Sequence, residues 1–211
     1  MNVESEKMLV YAVTDRTWLN GHTLEEQVEK AIKGGATFLQ LREKELCYDD
    51  FLKQAVALKK ITDKYHIPFV INDNVDIAIA VDADGVHVGQ KDMEAGEVRQ
   101  KLGQNKIIGV SVQTVEQAIL AQKQGADYLG VGAVFSTSTK LDASEVSFET
   151  LQQICNAVSI PVVAIGGINT KNILQLKGSG IDGVAVVSAI FAQKDITQAT
   201  KDIATLCKQL L

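Results

Sequence analysis

Short apolar runs rich in β-branched residues alternate with longer segments of helical periodicity along the whole chain, and this alternation restricts the fold most. Eight runs have the length of a strand: residues 8–13, 37–41, 68–71, 85–88, 107–110, 128–131, 162–165 and 183–187. Residues 161–165, Pro-Val-Val-Ala-Ile, are apolar throughout, as a strand buried on both faces requires. Strands separated by helices return through helical crossovers, so the pattern predicts a parallel sheet.

The helical segments are most regular in residues 49–65, where Phe51, Ala55, Leu58 and Ile61 recur on one side. Residues 23–33, 114–124 and 196–210 show similar spacing. We therefore expect eight helices between and after the eight strands.

A short repeat precedes four of the strands. It reads Gly-Ala-Thr at 35–37, Ala-Asp-Gly at 83–85, Gly-Ala-Asp at 125–127 and Gly-Ile-Asp-Gly at 180–183. Glycine suits the left-handed residue that ends a helix, and the small or acidic residue begins the turn into the strand.

The length of 211 residues and the eight strand–helix units predict an α/β fold, a single-domain (β/α)8 TIM barrel over residues 1–211. An open doubly wound sheet is the alternative, although no GxGxxG motif follows the first strand.

Charge and composition exclude several classes of protein. A net charge of −5 argues against nucleic-acid binding, which uses basic surfaces. No window approaches the roughly 20 uninterrupted apolar residues of a membrane span. Three cysteines without a CxxC motif, and a polar N-terminus without a leader pattern, predict a cytoplasmic protein. The sequence leaves open whether the protein forms a homo-oligomer.

The second strand continues into polar residues. Its period of two places Leu39 and Leu41 on one side and Gln40, Arg42 and Lys44 on the other. If the leucines face the helices, the two cations and the amide project toward the top of the barrel, where they could bind an anion such as phosphate. The alternative is a solvated charge cluster just beyond the strand.

Polar residues also end the third and fourth strands. Asp73 and Asp92 lie one strand–helix unit apart, so barrel closure would bring both carboxylates to the same side of the mouth, where they could bind Mg²⁺. Alternatively, Asp73 could cap a helix that begins near Asn74. His87 could be a general base, but a lone histidine at a strand end is more often a hydrogen-bonded structural residue.

Two further loops suit phosphate. Residues 136–140, Ser-Thr-Ser-Thr-Lys, combine hydroxyl donors with a cation, although a solvated Ser/Thr loop would look similar. Gly166 and Gly167 follow the seventh strand and precede a helix expected near Thr170. Barrels often hold phosphate between the loops after strands seven and eight.

These residues together resemble the thiamine-phosphate synthase (thiamine-phosphate pyrophosphorylase) family over almost the whole chain. The matching segments are YAVTD at 11–15, QLREK at 40–44, ND at 72–73, ADGVHVGQKD at 83–92, GVS at 109–111, TSTK at 137–140, AIGGI at 164–168 and VVSAI at 186–190. QLREK together with the TSTK loop is the most specific combination.

The resemblance implies a transferase of thiamine biosynthesis with two small-molecule substrates. It would condense 4-amino-2-methyl-5-hydroxymethylpyrimidine diphosphate with 4-methyl-5-hydroxyethylthiazole phosphate, giving thiamine monophosphate and pyrophosphate. The implied substrate-binding residues are Gln40, Leu41, Arg42, Glu43, Lys44, Asn72, Ser111, Thr137, Ser138, Thr139, Lys140, Gly167, Val187 and Ser188. Arg42, Lys44, Ser111 and Lys140 would be catalytic, and Asp73 and Asp92 would bind Mg²⁺ as cofactor.

The chemistry that the resemblance implies needs charge neutralisation of the departing pyrophosphate more than acid–base groups. A thiazole tautomerase on the same barrel is one alternative. A non-catalytic barrel that binds a phosphorylated ligand is another. A phosphosugar isomerase or aldolase would need a Schiff-base lysine within a strand or a well-placed glutamate base, and the strands contain neither.

Overall fold

A computed structural model describes residues 3–137 and 145–211, and its strands form one closed parallel barrel. The strands are β1 Val10–Val13, β2 Phe38–Leu41, β3 Phe69–Asn72, β4 Gly85–Val88, β5 Ile107–Val112, β6 Tyr128–Val131, β7 Val162–Ile165 and β8 Gly183–Val186. They follow one another in chain order, and β8 pairs with β1. The predicted (β/α)8 barrel is therefore confirmed, and the closed order excludes the doubly wound alternative.

Helices surround the barrel. They are α1 Leu24–Gly34, α2 Tyr48–Tyr65, α3 Val75–Ala80, α4 Ala95–Leu102, α5 Val115–Lys123, α6 Phe148–Ala157, α7 Ser188–Phe191 and α8 Ile196–Leu210. Side-chain oxygens cap the first turns of five of them, from Thr23, Asn74, Thr114, Ser147 and Asp195. None of the helices in the described residues has the length and apolar character that crossing a membrane would need.

Two apolar cores follow from the period of two along each strand. One side of each strand packs against the helices, as Leu39 and Leu41 of β2 do. The other side fills the lumen, where the buried residues include Tyr11, Phe38 and Tyr128. A barrel with a filled lumen has no central channel, so a ligand must bind at its mouth.

The first strand begins two residues later than predicted. Met8 lies at the end of a 3-10 helix, Ser5–Met8, and its fully buried side chain joins the lumen core. The Met8 carbonyl lies close against Gly183 at the start of β8. The pairing of β1 with β8 then begins at Val10, which lies opposite Val184.

No α-helix forms where one was predicted near Thr170; only a short 3-10 helix, Ile173–Leu176, connects β7 to β8. The Asn169 carboxamide oxygen accepts from the Lys171 N–H at 2.9 Å, and the Asn172 carboxamide oxygen accepts from the Asn169 N–H at 2.8 Å. These side-chain bonds hold the backbone in turns and so compete with a helix.

The lower end of the barrel repeats one contact four times. Immediately before each even-numbered strand, a side-chain oxygen accepts a hydrogen bond from a backbone N–H at the start of the preceding odd strand. The pairs are Thr37 with Val10, Asp84 with Phe69, Asp127 with Ile108 and Asp182 with Val162, at 2.8–2.9 Å. Two positions earlier, Gly35, Asp82, Gly125 and Gly180 all have positive φ. The short repeat of the sequence is therefore a fourfold structural repeat.

Candidate active site

A cavity of about 390 Å³ opens at the carboxyl ends of the strands, and all eight strands contribute residues to its lining. Eleven residues predicted from the sequence line this cavity: Gln40, Arg42, Lys44, Asn72, Asp73, Asp92, Ser111, Thr137, Gly167, Val187 and Ser188. Ser138, Thr139 and Lys140 lie outside the described residues. Closure of the barrel thus brings together side chains from widely separated parts of the chain.

The cationic wall of the cavity follows β2. Gln40 lines the cavity from within the strand, and Arg42 and Lys44 continue the same side beyond it. Leu41 has the opposite orientation. Its side chain is fully buried against the helices, so a substrate in the cavity would meet only its backbone.

Arg42 is held from the loop after β1. Its guanidinium Nη1 lies 3.3 Å from Asp15 Oδ2, and its backbone N–H donates to Thr14 Oγ1 at 3.0 Å. The guanidinium is mostly shielded from solvent, because only 16% of the side chain is exposed. An arginine held in this way keeps its planar donors in one orientation toward an anion.

Glu43 does not line this cavity but the adjoining pocket that Lys44, Asn72 and Asp73 also line, and its predicted substrate contact stays a prediction. Its carboxylate accepts from Arg16 Nε at 2.7 Å, and only 3% of its side chain is exposed. Burial raises the pKa of Glu43, although the Arg16 guanidinium opposes that rise. Arg16 also donates to Gln54 of α2. The ion pair therefore joins the loops after β1 and β2 and fixes the backbone between Arg42 and Lys44.

The acidic wall contains Asp73 in a left-handed conformation, with φ of 60°. This conformation costs a non-glycine residue on the order of 1 kcal/mol, and such strain is concentrated at functional sites. The Asp73 N–H donates to the His87 carbonyl at 2.8 Å, and the Asn72 carboxamide donates to Asp73 Oδ2 at 2.5 Å. The capping role considered for Asp73 belongs to Asn74, whose Oδ1 accepts from the Ile77 N–H.

Asp92 lines the same cavity, and its Oδ2 accepts from the Gly89 N–H at 2.8 Å. Within the described ranges, no group of three or more His, Cys, Asp or Glu side chains is placed to hold a metal ion. Mg²⁺ typically binds through one or two carboxylates, completed by water and substrate phosphate. Two oriented carboxylates beside two cations therefore fit Mg²⁺ bound together with a phosphorylated substrate.

Across the cavity, the loop after β7 requires glycine. Gly166 and Gly167 have φ of 101° and 66°. A Cβ on Gly167 would lie 2.4 Å from the Ser136 carbonyl oxygen, so the backbone of the loop after β7 packs directly against the backbone of the loop after β6. The Phe135 N–H also donates to the Gly166 carbonyl at 3.1 Å. Val187 and Ser188 continue this wall at the end of β8.

His87 lies at the floor of the cavity and is hydrogen-bonded at both ring nitrogens. Nδ1 lies 2.9 Å from the Tyr128 hydroxyl, and Nε2 lies 2.8 Å from Ser111 Oγ. His87 therefore has the hydrogen-bonded structural role that the sequence favoured, and its ring also positions Ser111, which is a predicted substrate-binding residue. Tyr11 and Tyr128, which line or support the floor, are absent from the sequence-based prediction. A tyrosine within an otherwise aliphatic strand was the signal that could have identified them, because a buried hydroxyl needs a hydrogen-bond partner.

Comparison with known proteins agrees with this geometry. The family model described as thiamine monophosphate synthase matches residues 10–190. The thiamine-phosphate synthase of Ruminiclostridium cellulolyticum is 58% identical over 194 residues, covering 92% of this chain and 92% of the relative. That of Clostridium beijerinckii is 56% identical over 194 residues, covering 92% of this chain and 93% of the relative.

A solved structure is similar over nearly the whole fold. The thiamine phosphate pyrophosphorylase from Pyrococcus furiosus superposes with a TM-score of 0.91 at 39% identity, covering 98% of each chain. The cavity therefore lies in a barrel that the Pyrococcus furiosus structure shares over nearly its whole length.

Proposed function

This chain belongs to the thiamine monophosphate synthase family and is an enzyme of the transferase class, and we propose how its cavity condenses the pyrimidine diphosphate with the thiazole phosphate. One observation carries the proposal. A single cavity has a cationic wall after β2, an acidic wall after β3 and β4, and a glycine-rich wall after β7 and β8. Two phosphorylated substrates can then occupy opposite sides and meet in the middle.

The pyrimidine diphosphate binds on the cationic side. Arg42 and Lys44 neutralise the diphosphate, and Lys140 joins them according to the family resemblance. Gln40, Asn72 and Ser111 hold the pyrimidine end at the floor. The side-chain contacts of Arg42 with Asp15 and of His87 with Ser111 keep these groups oriented before substrate binds.

Mg²⁺ would be held by Asp73 and Asp92. When bound, it supplies positive charge to the diphosphate and thereby stabilises the leaving group. The Asn72 carboxamide and the Gly89 N–H orient the two carboxylates for this task, as partners of metal ligands commonly do.

The thiazole phosphate binds on the opposite side. The backbone of Gly167 and the residues Val187 and Ser188 take its phosphate, with Thr137 and Thr139 completing the site according to the resemblance. Apolar side chains on the same wall, Val163, Ile165 and Ile168, limit access of water to the reacting carbon.

The reaction then needs few proton transfers. The bond between the pyrimidine methylene carbon and the diphosphate oxygen breaks, and pyrophosphate leaves with the electron pair. The electron-rich aminopyrimidine stabilises the cation, and the thiazole nitrogen forms the new bond with its lone pair. Catalysis rests on charge neutralisation and close positioning.

The predictions of a cytoplasmic location and of no nucleic-acid partner stay predictions.

The proposal is tested by measuring pyrophosphate release from the purified protein. The protein receives the pyrimidine diphosphate with or without thiazole phosphate, and with Mg²⁺ or EDTA. We expect release only with both substrates and Mg²⁺, with thiamine phosphate as co-product. Absence of release, combined with tight calorimetric binding of thiazole phosphate, would instead favour the tautomerase or the non-catalytic phosphate-binding barrel.

Lys140→Ala tests the resemblance directly. We expect turnover to fall by about a hundredfold or more with little change in thermal stability, because the lysine would act on the leaving group. Parallel losses of turnover and stability would contradict a role in catalysis.

A further inference from the structure

The adjoining pocket opens from the cavity on the side of β2 and β3. It has a volume of about 450 Å³, and Lys44, Asn72 and Asp73 line both spaces. Its other lining residues come from the loop after β2 and from α2, α3, α4 and the segments before them: Glu43, Leu46, Phe51, Asn74, Val75, Asp76, Met93 and Lys101. In the part of the chain that the structure describes, no residue after Lys101 lines this pocket, so it lies away from the glycine-rich wall.

The adjoining pocket extends from the mouth down the outside of the barrel. Each helix of such a barrel returns from the mouth toward the lower end. Met93 precedes the first turn of α4 and Lys101 lies in its last turn, so these two lining residues mark the upper and lower parts of the pocket. Lys44 and Lys101 are exposed, and the pocket is therefore open to solvent.

Two lysines suit this pocket to an anion. Lys44 lies where the pocket meets the cavity, and Lys101 lies at the far end. Within residues 3–137 and 145–211, neither ammonium group has a hydrogen bond or an ion pair, so both can contact a ligand. An ammonium group is a point charge on a flexible stem, which suits passing contact with phosphate oxygens.

The carboxylates of the pocket oppose an anion only weakly. Glu43 accepts from Arg16 Nε at 2.7 Å, so its charge is paired. Asp73 would face Mg²⁺ in the proposed function. Asp76 is exposed, and water and salt screen its charge. The two unpaired lysines therefore decide which charge the pocket favours.

We propose that the adjoining pocket is the route by which pyrophosphate leaves while thiamine phosphate still occupies the cavity. This inference rests on the proposed function, in which the diphosphate lies beside Lys44 and the thiazole phosphate lies on the opposite wall. Once the new bond has formed, thiamine phosphate spans the middle of the cavity. An anion that leaves past Lys44 and Lys101 does not have to pass it, and Lys101 stabilises the anion in transit.

A residue on an exit route changes rates and not affinity. Because Lys101 lowers the free energy of the anion in transit, it speeds departure and entry by the same factor. The Kd of pyrophosphate in the cavity is then unchanged. A lysine that only attracted anions from a distance would speed entry alone and would thereby lower the Kd.

The test follows pyrophosphate exchange on the purified protein with Mg²⁺ and saturating thiamine phosphate. Phosphorus-31 exchange NMR gives the dissociation rate constant, calorimetry gives the Kd, and their quotient gives the association rate constant. We expect Lys101→Ala to lower both rate constants by about threefold or more and to leave the Kd unchanged. A fall in association alone, or no change in either rate constant, would overturn the proposal.

The matched control is Lys208→Ala. Lys208 lies in the last turn of α8, as Lys101 lies in the last turn of α4, and it is equally exposed to solvent. It lines neither the cavity nor the adjoining pocket. Both rate constants of pyrophosphate exchange should therefore stay at their wild-type values.

Leu46→Trp narrows the route without a change of charge. Leu46 lines the adjoining pocket and not the cavity. With thiamine phosphate bound, we expect the larger side chain to slow the dissociation of pyrophosphate. Without thiamine phosphate the mouth of the barrel is free as a second exit, so the slowing should be no larger. A wild-type dissociation rate with thiamine phosphate bound would contradict exit through this pocket.

The route and the proposed function fail in different ways. The proposed function fails if the two substrates yield no pyrophosphate. The exchange measurement supplies pyrophosphate and thiamine phosphate directly and does not depend on turnover. Normal turnover, combined with unchanged exchange rates in Lys101→Ala and Leu46→Trp, would overturn the route alone.

Discussion

At the scale of single residues, the site combines side chains that face the cavity with neighbours that fix them. Arg42 lines the cavity, and its guanidinium contacts Asp15 from the loop after β1. The side chain of Glu43, the next residue, pairs with Arg16 and lines the adjoining pocket instead. Adjacent residues of one motif therefore have different duties, because successive side chains at a strand end point in opposite directions.

Arg42→Ala should lower kcat/KM by about a hundredfold or more, because it removes a fixed charge from the leaving group. The melting temperature should fall modestly, since the mostly shielded ion pair with Asp15 at 3.3 Å is lost while Asp15 keeps its hydrogen bond from the Thr17 N–H. Steady-state kinetics and thermal unfolding check this. Arg42→Lys keeps the charge without the planar fork and should give an intermediate rate. A wild-type rate in Arg42→Ala would refute the assignment.

At the scale of secondary-structure elements, the lower end of the barrel depends on side chains that complete the strand ladders. Before every even strand, one oxygen satisfies a backbone N–H that would otherwise be buried without a partner. These contacts lie at the end opposite the cavity, so stability and catalysis are governed by different ends of the same strands.

Asp182→Ala should destabilise the protein by about 1–3 kcal/mol, because the buried Val162 N–H loses its acceptor. The kcat/KM of the folded enzyme should be unchanged. Denaturant unfolding and kinetics measure the two effects separately. Asp182→Asn retains an acceptor oxygen and should recover most of the stability; equal losses in both variants would show that charge, not the hydrogen bond, is responsible.

The contact between α1 and α2 should make stability depend on acid pH. Hydrogen bonds from Tyr65 and Lys64 lower the pKa of Glu29 from its ordinary 4.5 to about 2. Between these values the unfolded chain binds more protons than the folded one, so this group's contribution is present above about pH 4.5 and is lost toward pH 2. The stability difference between wild type and Glu29→Gln, from denaturant unfolding at several pH values, should shrink over this window. A constant difference would contradict the lowered pKa.

At the scale of the whole molecule, the cavity exists only because β8 pairs with β1. This seam brings Tyr11 and Gln40, near the start of the chain, beside Val187 and Ser188, near its end. The seam also lacks space at its lower end. A Cβ on Gly183 would lie 1.9 Å from the Met8 carbonyl oxygen, so only glycine lets the two chain segments meet.

Gly183→Ala should destabilise the barrel by about 3 kcal/mol or more, because rigid backbone blocks the added methyl group. Gly96→Ala is the matched control. In α4, its nearest neighbours would be 4.0 Å from the new Cβ, and alanine favours helix, so stability should be unchanged or higher by up to about 1 kcal/mol. Denaturant unfolding distinguishes the two, and a similar effect of both substitutions would contradict the close approach at the seam.

Local patterns in the amino-acid sequence were enough to predict the eight strands, their parallel arrangement, the fourfold repeat and the two sides of β2. Each of these depends on local periodicity or on the conformational preference of a few neighbouring residues. The sequence also identified several charged and polar residues of the cavity, because polar side chains at the carboxyl ends of buried barrel strands lie at the mouth of the barrel. Gln40, Arg42, Lys44, Asp73 and Asp92 were found in this way.

The contacts between polar atoms of distant residues depend on the closed barrel and could not be predicted from local patterns. Asparagine turns form where a helix was predicted after β7, and the Glu43 carboxylate pairs with Arg16 from the loop after β1. Tyr11 and Tyr128, which lie 117 residues apart, share a hydrogen bond that no local pattern indicates. The physical reason is range: periodicity records which face of an element is buried, whereas a hydrogen bond between distant residues forms only after closure of the barrel fixes their separation.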